Sequence, residues 1–307
     1  LGGPADGFFH RMSRSVLTEP RIGIARDRMH GWDGAMKLPR RDFIKTAALA
    51  SAVAALGTRL TAADAAVPEP PPASGRDLYE LRAYRLKAGA AHALLDGFLA
   101  QALIPALNAR GITEVGAFTE PAEKDGTTVW VLIPHASLDA VVSTTAALAL
   151  DPAVRAAAAD YFADPTRTNP AFERIDSWLL LAFAGMPRLA VPALRRAGAP
   201  RVFEMRTYES YSEAKALNKI DMFNDGEIGL MQDLQLSPVF YGQALIGRDL
   251  PHLTYMLCSP DRETHARQWQ AFLQHPVWVR LKSDPRYQDN VSKVTSRFLV
   301  PTAYSQI

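Results

Sequence analysis

A single cysteine, Cys258, stands among the 307 residues, so no disulfide can form within the chain and packing must hold the fold. Cys258 ends the apolar run Leu253–Cys258, where a buried, inert thiol is expected rather than a nucleophile. Charge of one sign is also missing, with 34 Lys+Arg against 32 Asp+Glu. Residues 1–65 hold 10 of those basic and 6 of those acidic residues, which leaves the remainder at net −2. That balance excludes a nucleic-acid partner, because displacing counterions from phosphate needs a basic face. No apolar run reaches the roughly 20 residues of a membrane span. Glycine-rich phosphate loops, nucleophile elbows and His-Glu-x-x-His pairs are absent as well. His265 and His275 lack the i, i+4 spacing of a helical metal pair, and Asn218–Asp225 lacks the ligand order of a calcium loop. Neither a metal nor another cofactor is expected.

What is present begins with an address. Pro39-Arg40-Arg41-Asp42-Phe43-Ile44-Lys45 precedes the apolar run 47–56, and Ala63 and Ala65 supply an A-x-A cleavage site. Charged, apolar, then small is the order of an export signal, and the arginine pair resembles a twin-arginine signal. The expected location is therefore periplasmic or otherwise exported, with no stable membrane insertion after cleavage. Residues 1–35 read as an upstream extension, 36–65 as the signal and 66–76 as a stiff proline-rich spacer.

Beyond residue 76 the chain repeats itself. Tyr79-Glu80-Leu81-Arg82-Ala83-Tyr84 matches Phe203-Glu204-Met205-Arg206-Thr207-Tyr208 at an offset of 124 residues. The same offset relates the apolar strand 129–133 to 253–257, and Asp151-Pro152-Ala153-Val154 to His275-Pro276-Val277-Trp278. Two repeats, 77–184 and 201–307, joined by a linker over 185–200, are expected. Apolar residues at helical spacing (Leu94, Leu95, Phe98, Leu99, Leu103) and short runs bounded by turn residues predict the order βαββαβ in each. The predicted class is α+β, with two ferredoxin-like units.

The opening Tyr-Glu-Leu-Arg-Ala-Tyr, followed by Leu103-Ile104-Pro105-Ala106-Leu107, Gly111-Ile112 and Val115-Gly116-Ala117-Phe118, resembles a NIPSNAP domain. The second copy is the more divergent match, keeping Phe-Glu-Met-Arg-Thr-Tyr and His275-Pro276-Val277-Trp278. The resemblance implies a dimeric α+β barrel, formed within one chain or between two. The second case would make the protein a homo-oligomer. The family has no single chemistry, so the likeness implies a fold rather than a reaction.

Side chains alternate along a strand, so Glu80, Arg82 and Tyr84 share one face, as do Glu204, Arg206 and Tyr208. The apolar face suits helices, which would turn these trios into the barrel. There Arg82, Tyr84, Arg206 and Tyr208 would bind a small molecule, with Glu80 or Glu204 exchanging a proton. Against this stands a purely structural network of paired charges. Strand parity could place Trp130 and His252 beside the trios, His252 as an acid–base group and Trp130 as a ligand contact, although a solvent-exposed strand-end histidine is the plainer reading. Trp269, Phe272, Trp278 and Tyr287 read as core rather than as a pocket. Three roles follow: a small-molecule-binding protein, a cofactor-independent enzyme of monooxygenase or isomerase type, or a structural and interaction protein.

Overall fold

The computed structural model describes residues 75–86, 92–121, 127–163 and 170–307. The upstream extension, the export signal and the proline-rich run of the spacer lie outside the described residues. Among the described residues no helix is long and apolar enough to cross a membrane.

The strands are β1 (Leu78–Leu86), β2 (Gly116–Thr119), β3 (Thr127–His135), β4 (Arg174–Ala182), β5 (Val202–Glu209), β6 (Pro238–Ile246), β7 (His252–Ser259) and β8 (Lys293–Pro301). They close one antiparallel barrel in the order β1-β3-β2-β8-β5-β7-β6-β4. The barrel therefore forms within a single chain. Between β1 and β2 lie α1 (Ala93–Gly97), a π-helical turn (Phe98–Leu103) and α2 (Ile104–Asn108). Between β3 and β4 lie α3 (Leu138–Leu150), α4 (Pro152–Ala157) and α5 (Ala159–Ala163), and the connection to β5 holds α6 (Ala193–Arg196). The second half places α7 (Glu213–Met222), a π-helical turn (Phe223–Glu227) and α8 (Ile228–Asp233) before β6. It then places α9 (Arg262–Gln274) and α10 (Pro276–Ser283) between β7 and β8.

Strand alternation builds two kinds of core. Inside the barrel, Tyr79, Leu81, Ala83, Phe118, Trp130, Leu132, Phe203, Met205, Phe240 and Met256 form one cluster. Outside it, Leu95, Leu99, Leu103 and Leu107 cover Val129, Val131 and Ile133 in the first half. In the second half Ile220, Phe223, Met231 and Phe272 cover Leu253, Tyr255 and Leu257. Full burial of one such side chain contributes about 1.5–3 kcal/mol. β7 is buried at every position, as expected of a strand covered on both faces.

The helices begin where short polar side chains can accept an otherwise unpaired backbone N–H. Ser137, Ser212 and Asp261 cap α3, α7 and α9 by accepting from Ala140, Lys215 and Thr264. The Asp151-Pro152 and His275-Pro276 landmarks are helix starts too, with a side-chain cap and proline in the first turn.

One end of the barrel is closed. Leu189 and Ile307 join the interior cluster, with Val191 and Leu194 packed against it. Asp77 ties the closing segment down, accepting from the Leu189 N–H at 3.0 Å and from Arg188 at 2.5 Å. Arg201 donates to the Ile307 carbonyl at 2.8 Å. The fold is a cup with its floor made by the segment after β4.

Candidate functional site

The two Glu-Arg-Tyr trios face outward, toward the helices, rather than into the barrel. β1 registers Arg82 against Val131 and Ala83 against Trp130, so the trio shares its face with the helix-covered Val129, Val131 and Ile133. Alternation separates two faces without saying which is inside. Here the larger apolar set (Tyr79, Leu81, Phe203, Met205) fills the closed interior, where an ion would have no water and few partners. The same register puts Trp130 and His252 on the interior face, opposite the trios and not beside them.

Beneath the helices each trio is internally paired. Arg206 donates to Glu204 at 2.6 Å and to the Tyr208 hydroxyl at 3.2 Å, and its guanidinium lies 4.8 Å from the Trp269 ring centre. Glu204 also meets His265 at 2.7 Å, Trp269 Nε1 at 2.8 Å and Ser296 at 2.5 Å. Burial would raise its carboxyl, but the hydrogen bond from His265 and the charge of Arg206 outweigh it and hold the group at about 2. In the first half Arg82 donates to Glu80 at 2.6 Å and to the Tyr84 hydroxyl at 3.3 Å. Glu80 is likewise held at about 2, burial being overcome by His135 and Arg82. Carboxylates so firmly ionised and so fully engaged are poor proton donors and have no free face for a ligand in the barrel. His265, a partner of Glu204, was not legible in the sequence, because its strand-facing position on α9 depends on how that helix lies across the sheet.

The open end of the barrel holds a cavity of about 260 Å³ that contains Trp130 and His252. Leu81 and Met205 form its apolar base, and the Trp130 and Trp178 rings stack along one wall at 5.9 Å. Thr207 and Thr254 hydrogen bond across β5 and β7 at 2.9 Å, and Thr254 meets His252 Nδ1 at 3.4 Å. His252 is only 4% exposed, not the solvent-facing strand-end residue that its position after Pro251 suggests. Burial lowers its pKa, so the imidazole is neutral near pH 7. Around the rim every cation has a carboxylate: Asp176 accepts from Arg85 at 2.7 Å and from Arg248 at 3.1 Å, Lys293 pairs with Glu209 at 2.8 Å, and Arg297 with Glu120 at 3.3 Å. Gly247 makes the mouth possible. Its φ of +146° disfavours a side chain, and a Cβ there would fall 2.2 Å from Trp178. None of this wall could be found from spacing alone, since Trp178, Arg85 and Gly247 meet only when the barrel closes.

Other groups are structural. Burial pushes the Cys258 thiol up to about 12, which leaves it unreactive at neutral pH. Trp269, Phe272 and Trp278 pack in the second helical core, and Tyr287 in a satellite of it. His275 caps α10. Among the described residues no group of three His, Cys, Asp or Glu could hold a metal ion.

Comparison with known proteins adds a family. Residues 203–306 match the family model described as NIPSNAP, so the match falls on the half that the sequence marked as the more divergent copy. No curated protein matches the chain. Among solved structures, an uncharacterised NIPSNAP-like domain protein from Burkholderia xenovorans aligns at 19% identity over 34% of this chain and 88% of its own, with TM-score 0.31. A NIPSNAP family protein from Agrobacterium tumefaciens aligns at 18% identity over 35% of this chain and 91% of its own, with TM-score 0.32. A candidate monooxygenase from Fusobacterium nucleatum aligns at 9% identity over 74% of this chain and 93% of its own, with TM-score 0.47. At these identities and scores the likenesses carry nothing about chemistry.

Proposed function

For this chain of the NIPSNAP family, matched over 203–306, we propose a small-molecule-binding function seated in the open mouth of the barrel. The observation that carries the reading is one cavity bringing two stacked indoles, paired threonine hydroxyls and a neutral imidazole onto an apolar base. Its volume of about 260 Å³ lies just below the range of drug-sized sites, which selects a compact ligand. With Asp249 also lining the cavity, the four rim cations face four carboxylates, so an uncharged molecule is favoured over an ion. A small aromatic or carbonyl-bearing compound fits this chemistry: its ring would lie on Trp130 and its oxygen would meet Thr254 or His252. Ligand-observed NMR with small phenols and aryl ketones tests it. Binding that weakens about tenfold in Trp130→Ala, the loss of one stacking contact, supports the site. Equal binding to both proteins sinks it.

A second reading is favoured by His252 alone. A neutral imidazole linked to the Thr254–Thr207 pair is suited to take a proton from a bound carbonyl compound, which would make the protein a cofactor-independent enzyme. Turnover lost in His252→Ala with ligand binding retained would separate this reading from simple binding.

Two further parts of the reading come from the sequence. The halves are taken as ferredoxin-like repeats of one duplicated unit, supported by their common element order. The protein is taken as exported, and amino-terminal sequencing of the mature protein from the periplasmic fraction would locate the cleavage.

A further inference from the structure

One side of the barrel mouth carries a run of exposed apolar side chains. In the barrel order β8-β5-β7-β6-β4, Val294 stands near the start of β8, Tyr211 just past β5 and Leu250 just ahead of β7. Leu245 and Ile246 end β6, and Ile175 stands near the start of β4. Neighbouring strands thus bring exposed hydrophobic residues to the same end, one after another. The backbone ties two of them together, since the Ser210 N–H beside Tyr211 donates to the Pro251 carbonyl beside Leu250 at 3.0 Å. Among the described residues, every exposed large hydrophobic that belongs to a strand lies at the mouth, and none at the closed end. Such a continuous patch marks a contact surface.

The charges of the rim are layered. Arg85 and Arg248 are 49% and 52% exposed, while the Asp176 carboxylate that they share is 7% exposed. Lys293 covers Glu209 in the same way, at 63% against 23%. The pairs cancel inside the cavity, yet their cations form the outer layer. Of the four rim carboxylates only Asp249 is exposed. A surface approaching the mouth therefore meets aliphatic and phenolic tips set among cations. That combination matches the boundary of a bilayer, where acyl chains receive the aliphatic tips, headgroup phosphates receive the cations and tyrosine sits between the two.

We propose that this rim docks on the surface of a phospholipid bilayer, from which the cavity takes its uncharged ligand. The choice of a bilayer over a protein rests on the reading of the mouth as a ligand site. A protein seated on the rim would seal the cavity, whereas fluid lipid lets a small molecule pass. An uncharged aromatic or carbonyl compound partitions into the acyl boundary, so docking brings it to Trp130 without a passage through water.

The test labels the full chain with nitrobenzoxadiazole at one introduced thiol, in Ile246→Cys, Val294→Cys or Ala197→Cys, the native Cys258 being buried. Each protein is titrated with vesicles of phosphatidylcholine and phosphatidylglycerol. At positions 246 and 294 the emission should shift to the blue and be quenched by brominated acyl chains. The label at 197, at the closed end, should stay unchanged and so reports tethering by any other part of the chain. Tyr211→Ser combined with Leu250→Ser should raise the lipid concentration for half-maximal response about tenfold. Silent rim labels, an equal response at 197, or a response unaltered in the double variant would overturn the proposal. A blue shift that grows with protein concentration in the absence of lipid would assign the face to a second copy and overturn it too. Ligand-observed NMR in lipid-free solution separates the two readings. Phenol binding with silent rim labels sinks the docking surface alone, and responding labels without phenol binding sink the ligand reading alone.

Discussion

At the scale of single residues, Glu204 is a charge held on every side. It is buried with His265, Trp269, Arg206 and Ser296 around it, and removing the charge leaves Arg206 without its counter-ion. Glu204→Gln should destabilise the fold by about 3–5 kcal/mol, the range for breaking a buried pair, and a denaturant melt would measure it. If the midpoint stays at the wild-type value, the network is not structural. The pH dependence has a definite sign. Glu80 and Glu204 are lowered from 4.5 to about 2 in the folded protein, so their stabilisation is complete above the unfolded pKa and is lost as pH falls toward 2. Stability measured at successive pH values should fall from about pH 5 downward, and the Glu204→Gln variant should fall less steeply. The strand motif and the residue identities of the trios were legible in the sequence. Their direction was not, because parity along β1 fixes the faces only relative to each other. Which face is interior depends on the ring closing, a property of eight strands together.

At the scale of elements, the two halves solve one problem in two ways. In α7 and the π-helical turn after it, Lys219 meets Glu227 at 2.5 Å, both buried, with the Phe223 ring 4.9 Å from the ammonium. At the 124-residue offset the first half has Leu95 and Leu103, both buried in its helical core. A buried ion pair recovers little beyond its desolvation cost, whereas breaking it strands a charge. Lys219→Leu and Glu227→Leu should each lose about 3–5 kcal/mol, while the double variant should be near neutral or more stable. A double-mutant cycle on thermal midpoints would show this, and additive losses would contradict it. The hairpin between β6 and β7 carries its own expectation. Gly247→Ala drives a methyl group into Trp178 and adds backbone strain at positive φ, so ligand-observed NMR should show the binding proposed for the mouth shifting more than it does in substitutions on the helices. Strand positions were readable because short apolar runs end at turn residues. The π-helical turns were not, since Phe98–Leu103 and Phe223–Glu227 carry the same apolar spacing as ordinary helix.

For the whole molecule, the offset of 124 residues announced two units, and the resemblance announced a barrel. Whether one chain or two would complete it was left open by the sequence, because each unit supplies only a four-stranded sheet with two edges to be paired. The structure joins those edges at two seams of different length. β4 pairs with β6 from Leu179 to Ala182, whereas β2 pairs with β8 through Phe118 and Thr119, and the segment after β8 adds backbone bonds from Thr302 to Ala117 and from Gln306 to Val115, each at 2.9 Å. Amides along the shorter seam should exchange with deuterium ahead of those in β5 and β7, which hydrogen-exchange mass spectrometry would resolve.

If the ring opens anywhere, that short strand pairing is the place, like the clasp of a bracelet. Were it to open, the freed rims of β2 and β8 would present the same backbone donors and acceptors to any neighbouring molecule as they did to each other. Two opened chains can then link hand to hand, each completing the other's ring, with no new contact invented. Crowding the protein at high concentration should therefore yield slowly reverting dimers, and a disulfide placed across the clasp should keep every chain to itself.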